Sequence, residues 1–290
     1  MSTVVITGAS GFLGRALCER FAAGGWAVRA LMRRPAESPF ADARIMAFEC
    51  DLPERIDASA FAGADVVIHA AYTTRVAGHQ EARVVNMHGT AAVLRHARRA
   101  GAHFVFVSSC SAHAGALSFY GRSKLFIESR LDAERDLIVR PGLILGGGGL
   151  FARMSATLRA SRIVPLFDGG SQPLQTVHLD DLAGAFFVLA GERQAGLHVV
   201  AEPQAIAMRV FLRALARRLG TRPLFVSVPS SCVMPLLRLA ESLRLPLPIG
   251  SENLLGLRGM IRQEPSPVLA AKRIRLRPWN ESLASLPSSA

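Results

Sequence analysis

Tyr120 and Lys124, in the run Tyr120-Gly121-Arg122-Ser123-Lys124, set a phenol and an ammonium four residues apart. On a helix that spacing puts both on one face. A tyrosine holds its proton to about pH 10. A neighbouring cation favours the phenolate and lowers that value. A phenol tuned in this way can give a proton to a carbonyl oxygen or take one from an alcohol. The chain has only two lysines, Lys124 and Lys272, so a lysine at this spacing stands out. Taken alone, Tyr-x-x-x-Lys is common and reads as an exposed helical pair. The N-terminus changes that reading.

There the sequence runs Val4-Val5-Ile6-Thr7-Gly8-Ala9-Ser10-Gly11-Phe12-Leu13-Gly14-Arg15. A β-branched run enters a glycine-rich turn, and a helical pattern follows through Phe12, Leu13, Leu17 and Phe21. Strand, Gly-x-x-Gly-x-x-Gly and helix in this order describe a phosphate-binding βα turn. The glycines let backbone approach a pyrophosphate, and the helix start offers N–H groups without intrahelical partners. Residues 27–32 read as the next strand, followed by Arg33 and Arg34. An acid at this point would bond the ribose hydroxyl of NAD, whereas arginine accommodates the 2′-phosphate of NADP. The pair predicts NADP as the preferred cofactor, with NAD possible.

With these motifs in place, the chain resembles the short-chain dehydrogenase/reductases, in the extended or atypical branch grouped as NAD-dependent epimerase/dehydratases. The resemblance runs from Thr3 to about Ala190. Gly8, Ser10, Gly11, Phe12, Leu13 and Gly14 match its glycine motif. Asp51-Leu52 matches the acidic pair beside adenine. His69-Ala70-Ala71 closes a strand next to the cofactor. Asn86 matches the helix asparagine that organises the active site. Phe104 to Ser109 resembles the strand that runs into the catalytic serine. Pro141 and Gly142, after Arg140, match the turn on the nicotinamide side, and Val177 to Leu182 matches a later structural motif.

The resemblance implies roles. Tyr120 would be the general acid/base. Lys124 would lower its pKa and bond the nicotinamide ribose. Ser109 would hold the substrate oxygen, with Ser108 and Ser111 as alternatives in the same run. Asn86 would support a proton-relay water. The relatives that act on nucleotide sugars usually carry an asparagine and a Tyr-Gly-Pro after the Arg-Pro segment, and an arginine four residues before the equivalent of His178. This chain has Leu143 in the first region and Leu174 at the arginine position. Both departures remove phosphate-binding groups. They point to hydride transfer between nicotinamide and a small or apolar carbonyl or alcohol. A nucleotide-sugar epimerase or dehydratase is one alternative, and a non-catalytic NADP-binding regulatory or assembly protein is another.

The elements that must position these groups follow from the pattern. Strands are expected at 3–7, 27–32, 65–70, 103–108 and 136–140, with helices at 12–24, 80–100 and 119–134. Alternation of this kind predicts an α/β fold: a Rossmann-type doubly wound parallel sheet with a smaller C-terminal substrate-binding lobe. The NAD(P)-binding Rossmann domain would take 1–142 plus about 177–201. The lobe would take about 143–176 and 202–290. The chain's 290 residues, half of them hydrophobic, suffice for both.

The net charge of +12 comes from scattered arginines. Without interleaved aromatics they read as solvated faces, so no nucleic-acid partner is expected. Cys18, Cys50, Cys110 and Cys232 show no paired spacing, so a reduced, cytoplasmic setting without a metal site is expected. The first strand is expected to begin at residue 3, so no signal peptide is expected before it. The apolar stretch 233–249 holds charges and three prolines. It reads as a lobe helix rather than an inserted span, with membrane-surface contact or a homodimer interface as other uses. The expected partner is a small-molecule substrate.

Overall fold

A computed structural model describes residues 1–73, 82–243, 245 and 250–286. The strands are β1 (Thr3–Thr7), β2 (Ala27–Met32), β3 (Ile45–Asp51), β4 (Arg55–Ile56), β5 (Val66–His69), β6 (His103–Val107), β7 (Leu137–Pro141), β8 (Leu143–Leu145), β9 (Ile163–Phe167), β10 (Pro173–Leu174), β11 (Thr176–His178), β12 (Gly196–Val200), β13 (Ile206–Ala207) and β14 (Leu224–Val228). Eight form one sheet in the order β12-β7-β6-β5-β1-β2-β3-β4. Every pair in it is parallel except β3 with β4.

Both faces of this sheet are covered, which explains why β1, β5 and β6 are buried at every position. Val4, Ile6, Val66, Ile68 and Val105 face one core layer with Leu17, Phe21, Phe186 and Leu189, from helices Phe12–Ala23 and Leu179–Gly191. Val5, Val67, Phe104 and Phe106 face the other, with Val93, Ala97 and Ile127 from helices Gly89–Arg99 and Phe119–Glu128. Side-chain alternation along each strand divides the two layers. The strand order reverses between β1 and β5, so the carboxyl ends of those strands open a crevice of the kind that receives ligands in doubly wound sheets.

A separate core gathers Phe151, Leu158, Leu174, Phe211, Leu215 and Leu283. It joins helices Gly149–Ala160, Met208–Arg218 and Trp279–Ser285 and three two-stranded pairs, β8–β11, β10–β13 and β9–β14. Leu174 is buried there and Leu143 packs against it. The C-terminal run then returns to the main sheet. Ser266 exchanges hydrogen bonds with Val199 of β12, and Ile274 and Leu276 pack on the first core layer. Arg277 pairs with Asp181 at 2.6 Å. The Trp279 N–H donates to Glu202 at 2.9 Å.

Three readings of elements need correcting. β3 went unread as a strand because its exposure is mixed along its length, with no clean alternation. The helix expected over 119–134 ends at Glu128. The chain turns there because the Asp132 N–H bonds the buried Asp136 carboxylate at 2.9 Å, and that carboxylate also receives Arg98 at 2.5 Å. The described part of the helix expected over 80–100 is α-helical at 82–83, carries one π-helical turn, Val84–His88, and resumes α geometry at Gly89. Residues 80 and 81 lie outside the described residues.

Candidate active site

The glycine turn follows β1 at the sheet's crossover. Gly8 has φ +68, and a Cβ there would lie 2.8 Å from Ala71 Cα. A Cβ on Gly14 would strike the Gly8 carbonyl oxygen. The turn is therefore drawn against Ala70 and Ala71 beyond β5, with no space for side chains. The first intrahelical bond runs from Arg15 N to Gly11 O at 2.9 Å. The preceding N–H groups of Phe12, Leu13 and Gly14 therefore have no intrahelical acceptor, and no acid occupies the first helical turn. This cradle, bare of side chains and lined by N–H groups, fits a dinucleotide pyrophosphate. Phe12 belongs to it through its backbone. Its ring packs under the turn Gly146–Gly149, where a Cβ on Gly146 would come within 2.6 Å of it.

Arg33 and Arg34 follow β2 and are exposed, with Arg34 3.2 Å from Glu37 in a solvated pair. Asp51 closes β3 and contacts Arg55 at 3.1 Å. Leu52 turns inward and packs on Gly89.

His69 is buried at the end of β5, and its bonding can be worked through. Thr90 Oγ1 donates to the Asn86 carbonyl at 2.6 Å. Its proton is thereby used, so His69 Nε2, 3.0 Å away, is the protonated ring nitrogen. Nδ1 then accepts from Thr7 Oγ1 at 2.7 Å, and Thr7 Oγ1 accepts the Ala71 N–H at 3.2 Å. Burial, helped by the Lys124 charge, lowers His69 to about 3, which agrees with a neutral ring. The imidazole ties the ends of β1 and β5 to the helix that carries Asn86.

Tyr120 sits in the first turn of helix Phe119–Glu128, whose N-cap Ser118 accepts the Gly121 N–H at 3.2 Å. Ser109, in the loop after β6, accepts the Ser111 N–H at 3.1 Å and stands close enough to Tyr120 to favour its phenolate. Ser108 turns away and bonds the buried Glu128 carboxylate. The Cys110 N–H donates to the Pro141 carbonyl at 3.0 Å, which holds this loop against Pro141-Gly142. Gly142 has no room for a side chain either: a Cβ there would lie 2.6 Å from the Gln175 carbonyl oxygen. Tyr120, Ser109, Lys124, Asn86 and the Pro141-Gly142 turn thus meet at the carboxyl ends of the central strands.

Lys124 departs from the sequence expectation. Its ammonium donates to the Val107 carbonyl at 2.6 Å and lies over the Tyr72 and Phe106 rings, at 4.2 and 4.6 Å from their centroids. Burial brings its amine down to about 7, opposed by Glu128. The Tyr120 hydroxyl is not lowered. Burial pushes it up to about 12, Tyr72 adds to the rise, and Ser109 opposes it. Desolvation of the phenolate outweighs any help from the cation, which is engaged elsewhere.

Tyr72 is the residue that sequence reasoning missed. The chain has two tyrosines, and their rings meet edge to face, 5.1 Å apart at 87°. The Tyr72 hydroxyl bonds Ser123 Oγ at 2.5 Å and interacts with the Asn86 side chain. Asn86 also clamps Thr73 through both its amide atoms, at 2.8 and 3.0 Å. The scarcity of tyrosine, and a tyrosine directly after His69-Ala70-Ala71, were the available signals.

Behind the helix, Arg140 grips Glu128 with two bonds of 2.5 and 2.9 Å and reaches Gln263 at 3.3 Å. Gln263 in turn donates to the Cys110 carbonyl through its side-chain amide, and its backbone N–H donates to the Gln175 side chain at 2.7 Å. Sequence reading treated Arg140 as part of a turn motif and gave no role to Glu128 or Gln263.

The sequence profile of the NAD dependent epimerase/dehydratase family matches residues 4–201. The chain belongs to this family. A family protein named ceramide reductase, from Caulobacter vibrioides, is 31% identical over 80% of this chain and 75% of its own length. A protein named 3-diazoavenalumate denitrifying reductase, from a Streptomyces species, is 29% identical over 76% of this chain and 82% of its own. Among solved structures, MoeE5 in complex with UDP-glucose and NAD superposes with a TM-score of 0.74 at 20% identity, covering 98% of this chain and 97% of that one. Human epimerase family protein SDR39U1 with NADPH gives 0.71 at 19%, covering 98% and 97%. The structural likenesses show a shared Rossmann-type fold. Membership in the family makes this chain an enzyme of the nicotinamide-dependent oxidoreductase and epimerase type. Among the described residues no helix is long and apolar enough to cross a membrane, and no cluster of side chains suits a metal ion.

Proposed function

We propose that this protein is an NADPH-dependent reductase of an apolar carbonyl compound. The observation that carries the reading is the setting of Tyr120, which shares a helix with Lys124 and meets the Tyr72 ring edge to face beside the loop of Ser109, where enclosure pushes its hydroxyl up to about 12. A phenol that keeps its proton throughout the neutral range is suited to donate it to the alkoxide that forms as a carbonyl is reduced. Ser109 would hold the substrate oxygen beside that proton. Lys124, freed from Val107, would bond the ribose and place positive charge near the developing oxyanion. Asn86 and Tyr72 would fix the wall of the site. The nicotinamide supplies the hydride when bound. Arg33 and Arg34 support NADP because they stand where the 2′-phosphate is met in this fold. The apolar character of the substrate is supported by Leu143 and Leu174, which replace groups that hold a sugar diphosphate, and by the relative whose name specifies a long-chain lipid amide. With a Rossmann unit of 1–142 and about 177–201, and a substrate lobe of about 143–176 and 202–290, the site would lie at their junction.

The test is a panel of long-chain and short apolar ketones, with nucleotide sugars included, followed by NADPH absorbance. Turnover of an apolar ketone, reduced about 10²–10⁴-fold in Tyr120→Phe with unchanged NADPH affinity, is the expected result. Turnover at the wild-type rate in Tyr120→Phe removes Tyr120 from the chemistry. Micromolar binding of a nucleotide sugar restores the epimerase alternative.

A further inference from the structure

The β9–β14 pair has one buried face and one bare face. Val164 and Leu166 point inward and are buried. Ile163 and Leu224, directly paired across the strands, are 61% and 63% exposed. Pro165 and Val226, the next outward pair, are exposed as well. Four apolar side chains in cross-strand contact therefore face solvent, with no aromatic among them.

The start of this pair is surrounded by cations. A surface cavity of about 460 Å³ is lined by Arg159, Arg162, Thr221 and Arg222. A second, of about 200 Å³, shares Thr221 and Arg222 and adds Arg213 and Arg217 from helix Met208–Arg218. No acidic side chain lines either cavity. Among the described residues Arg162, Arg213, Arg217 and Arg222 have no ion-pair partner. Arg162 is continuous with the apolar face: its carbonyl accepts the Leu224 N–H at 2.8 Å.

We propose that this face docks the protein on an anionic phospholipid surface, with Ile163, Pro165, Leu224 and Val226 entering the acyl boundary and the arginines meeting lipid phosphates. Peripheral attachment of this kind adds buried apolar area to attraction for anionic headgroups. The charge pattern selects this occupant. A second copy docked through a two-fold axis would set the arginines against one another. Nucleic acid would find the cations but no stacking side chains, and it would leave the aliphatic centre against a charged backbone. Protein interfaces are anchored by buried aromatics, which the outward positions lack.

The full-length protein is sedimented with vesicles of phosphatidylcholine alone and with vesicles that also contain phosphatidylglycerol. Binding to the anionic vesicles only, weakened by salt, is expected. Arg162→Glu/Arg222→Glu should weaken it about tenfold or more, Leu224→Ser should weaken it as well, and Arg95→Glu on a remote helix should not. Arg213→Glu/Arg217→Glu serves as the second variant should the first prove unstable, with melting temperature and NADPH binding as checks on folding. A chain that stays in solution with both vesicle types overturns the proposal. So does equal binding to neutral vesicles, or an equal loss in Arg95→Glu, which would make net charge the cause. Self-association that disappears in Leu224→Ser would assign the face to a second copy. Vesicle binding requires neither cofactor nor substrate, so it stands or falls apart from the reductase reading.

Discussion

The Lys124 ammonium rests on the face of the Tyr72 ring, 4.2 Å from its centroid, with Phe106 at 4.6 Å and the Val107 carbonyl as its acceptor. A cation in such a slot gains about 2 kcal/mol when desolvated, which opposes the loss on burial. Glu128 from its own helix and Tyr72, with neutral His69 behind, are the titratable groups that face it. With only two lysines, selective ¹³C-lysine labelling gives two Cε signals, and Lys124 can be titrated directly. Its midpoint should stand near 7, well below the ordinary lysine value of 10.5. Tyr72→Leu removes the ring and should move the midpoint down by about one pH unit. Tyr72→Phe keeps the ring and should leave it nearly in place. An unmoved midpoint in Tyr72→Leu would show that the ring does not support the charge.

The proposed preference for NADP rests on Arg33 and Arg34. A charge-assisted contact to the 2′-phosphate is worth about 1.5–3 kcal/mol, so NADPH should bind at least about tenfold more tightly than NADH. Arg33→Ala/Arg34→Ala should bring the two together by weakening NADPH alone. Fluorescence titration measures both. Equal affinities in the unaltered protein would refute the preference.

The central strands, the glycine turn and the helix of Tyr120 were legible because their signals are local. A β-branched run, a fixed glycine spacing and a four-residue offset each survive in one dimension. The state of the site was not, because burial decides it. Nothing near Lys124 in sequence announces the Tyr72 ring, which comes from a loop fifty residues earlier, or the Val107 carbonyl. The same holds for Tyr120, whose hydroxyl is raised by enclosure where a neighbouring cation suggested the opposite. Ser109 was named from the sequence ahead of Ser108, but what engages Ser108 is visible only in the fold. The buried Glu128–Arg140 pair occupies Ser108, and Glu128 reads in sequence as an ordinary helix-surface acid.

His69 predicts a pH-dependent stability. Its folded value near 3 lies below the ordinary 6.5. Between those values the unfolded chain carries a proton that the folded chain refuses, so stability falls as pH drops from about 6.5 to about 3. The contribution is about 1.4 kcal/mol per pH unit within that window. Urea unfolding of the unaltered protein and His69→Gln across this range should show a shallower slope in the variant. Parallel slopes would mean that His69 is protonated in the fold.

Arg140→Met should destabilise by about 3–5 kcal/mol, because the buried Glu128 carboxylate would lose its cation and keep only the Ser108 hydroxyl. Arg140→Met/Glu128→Met should recover much of the loss. Denaturant midpoints decide the matter, and a double variant no better than the single one would indicate that the methylene packing of Arg140, and not its charge, carries the stability.

The return of the chain's last segment to its first sheet has a consequence for biogenesis. Gln263 supports the loop that holds Ser109, Ser266 completes the outer edge at β12, and Arg277 fastens helix Leu179–Gly191. These partners leave the ribosome after nearly everything they hold. A nascent chain can begin its central strands early, since β1 pairs with β2 and β5 and all three precede β6, β7 and β12, yet its chemistry waits on residues translated at the very end. Premature termination before this segment would therefore yield a polypeptide able to cradle a nucleotide while its proton-handling groups stay unbraced, which is a route to a dead but ligand-competing product.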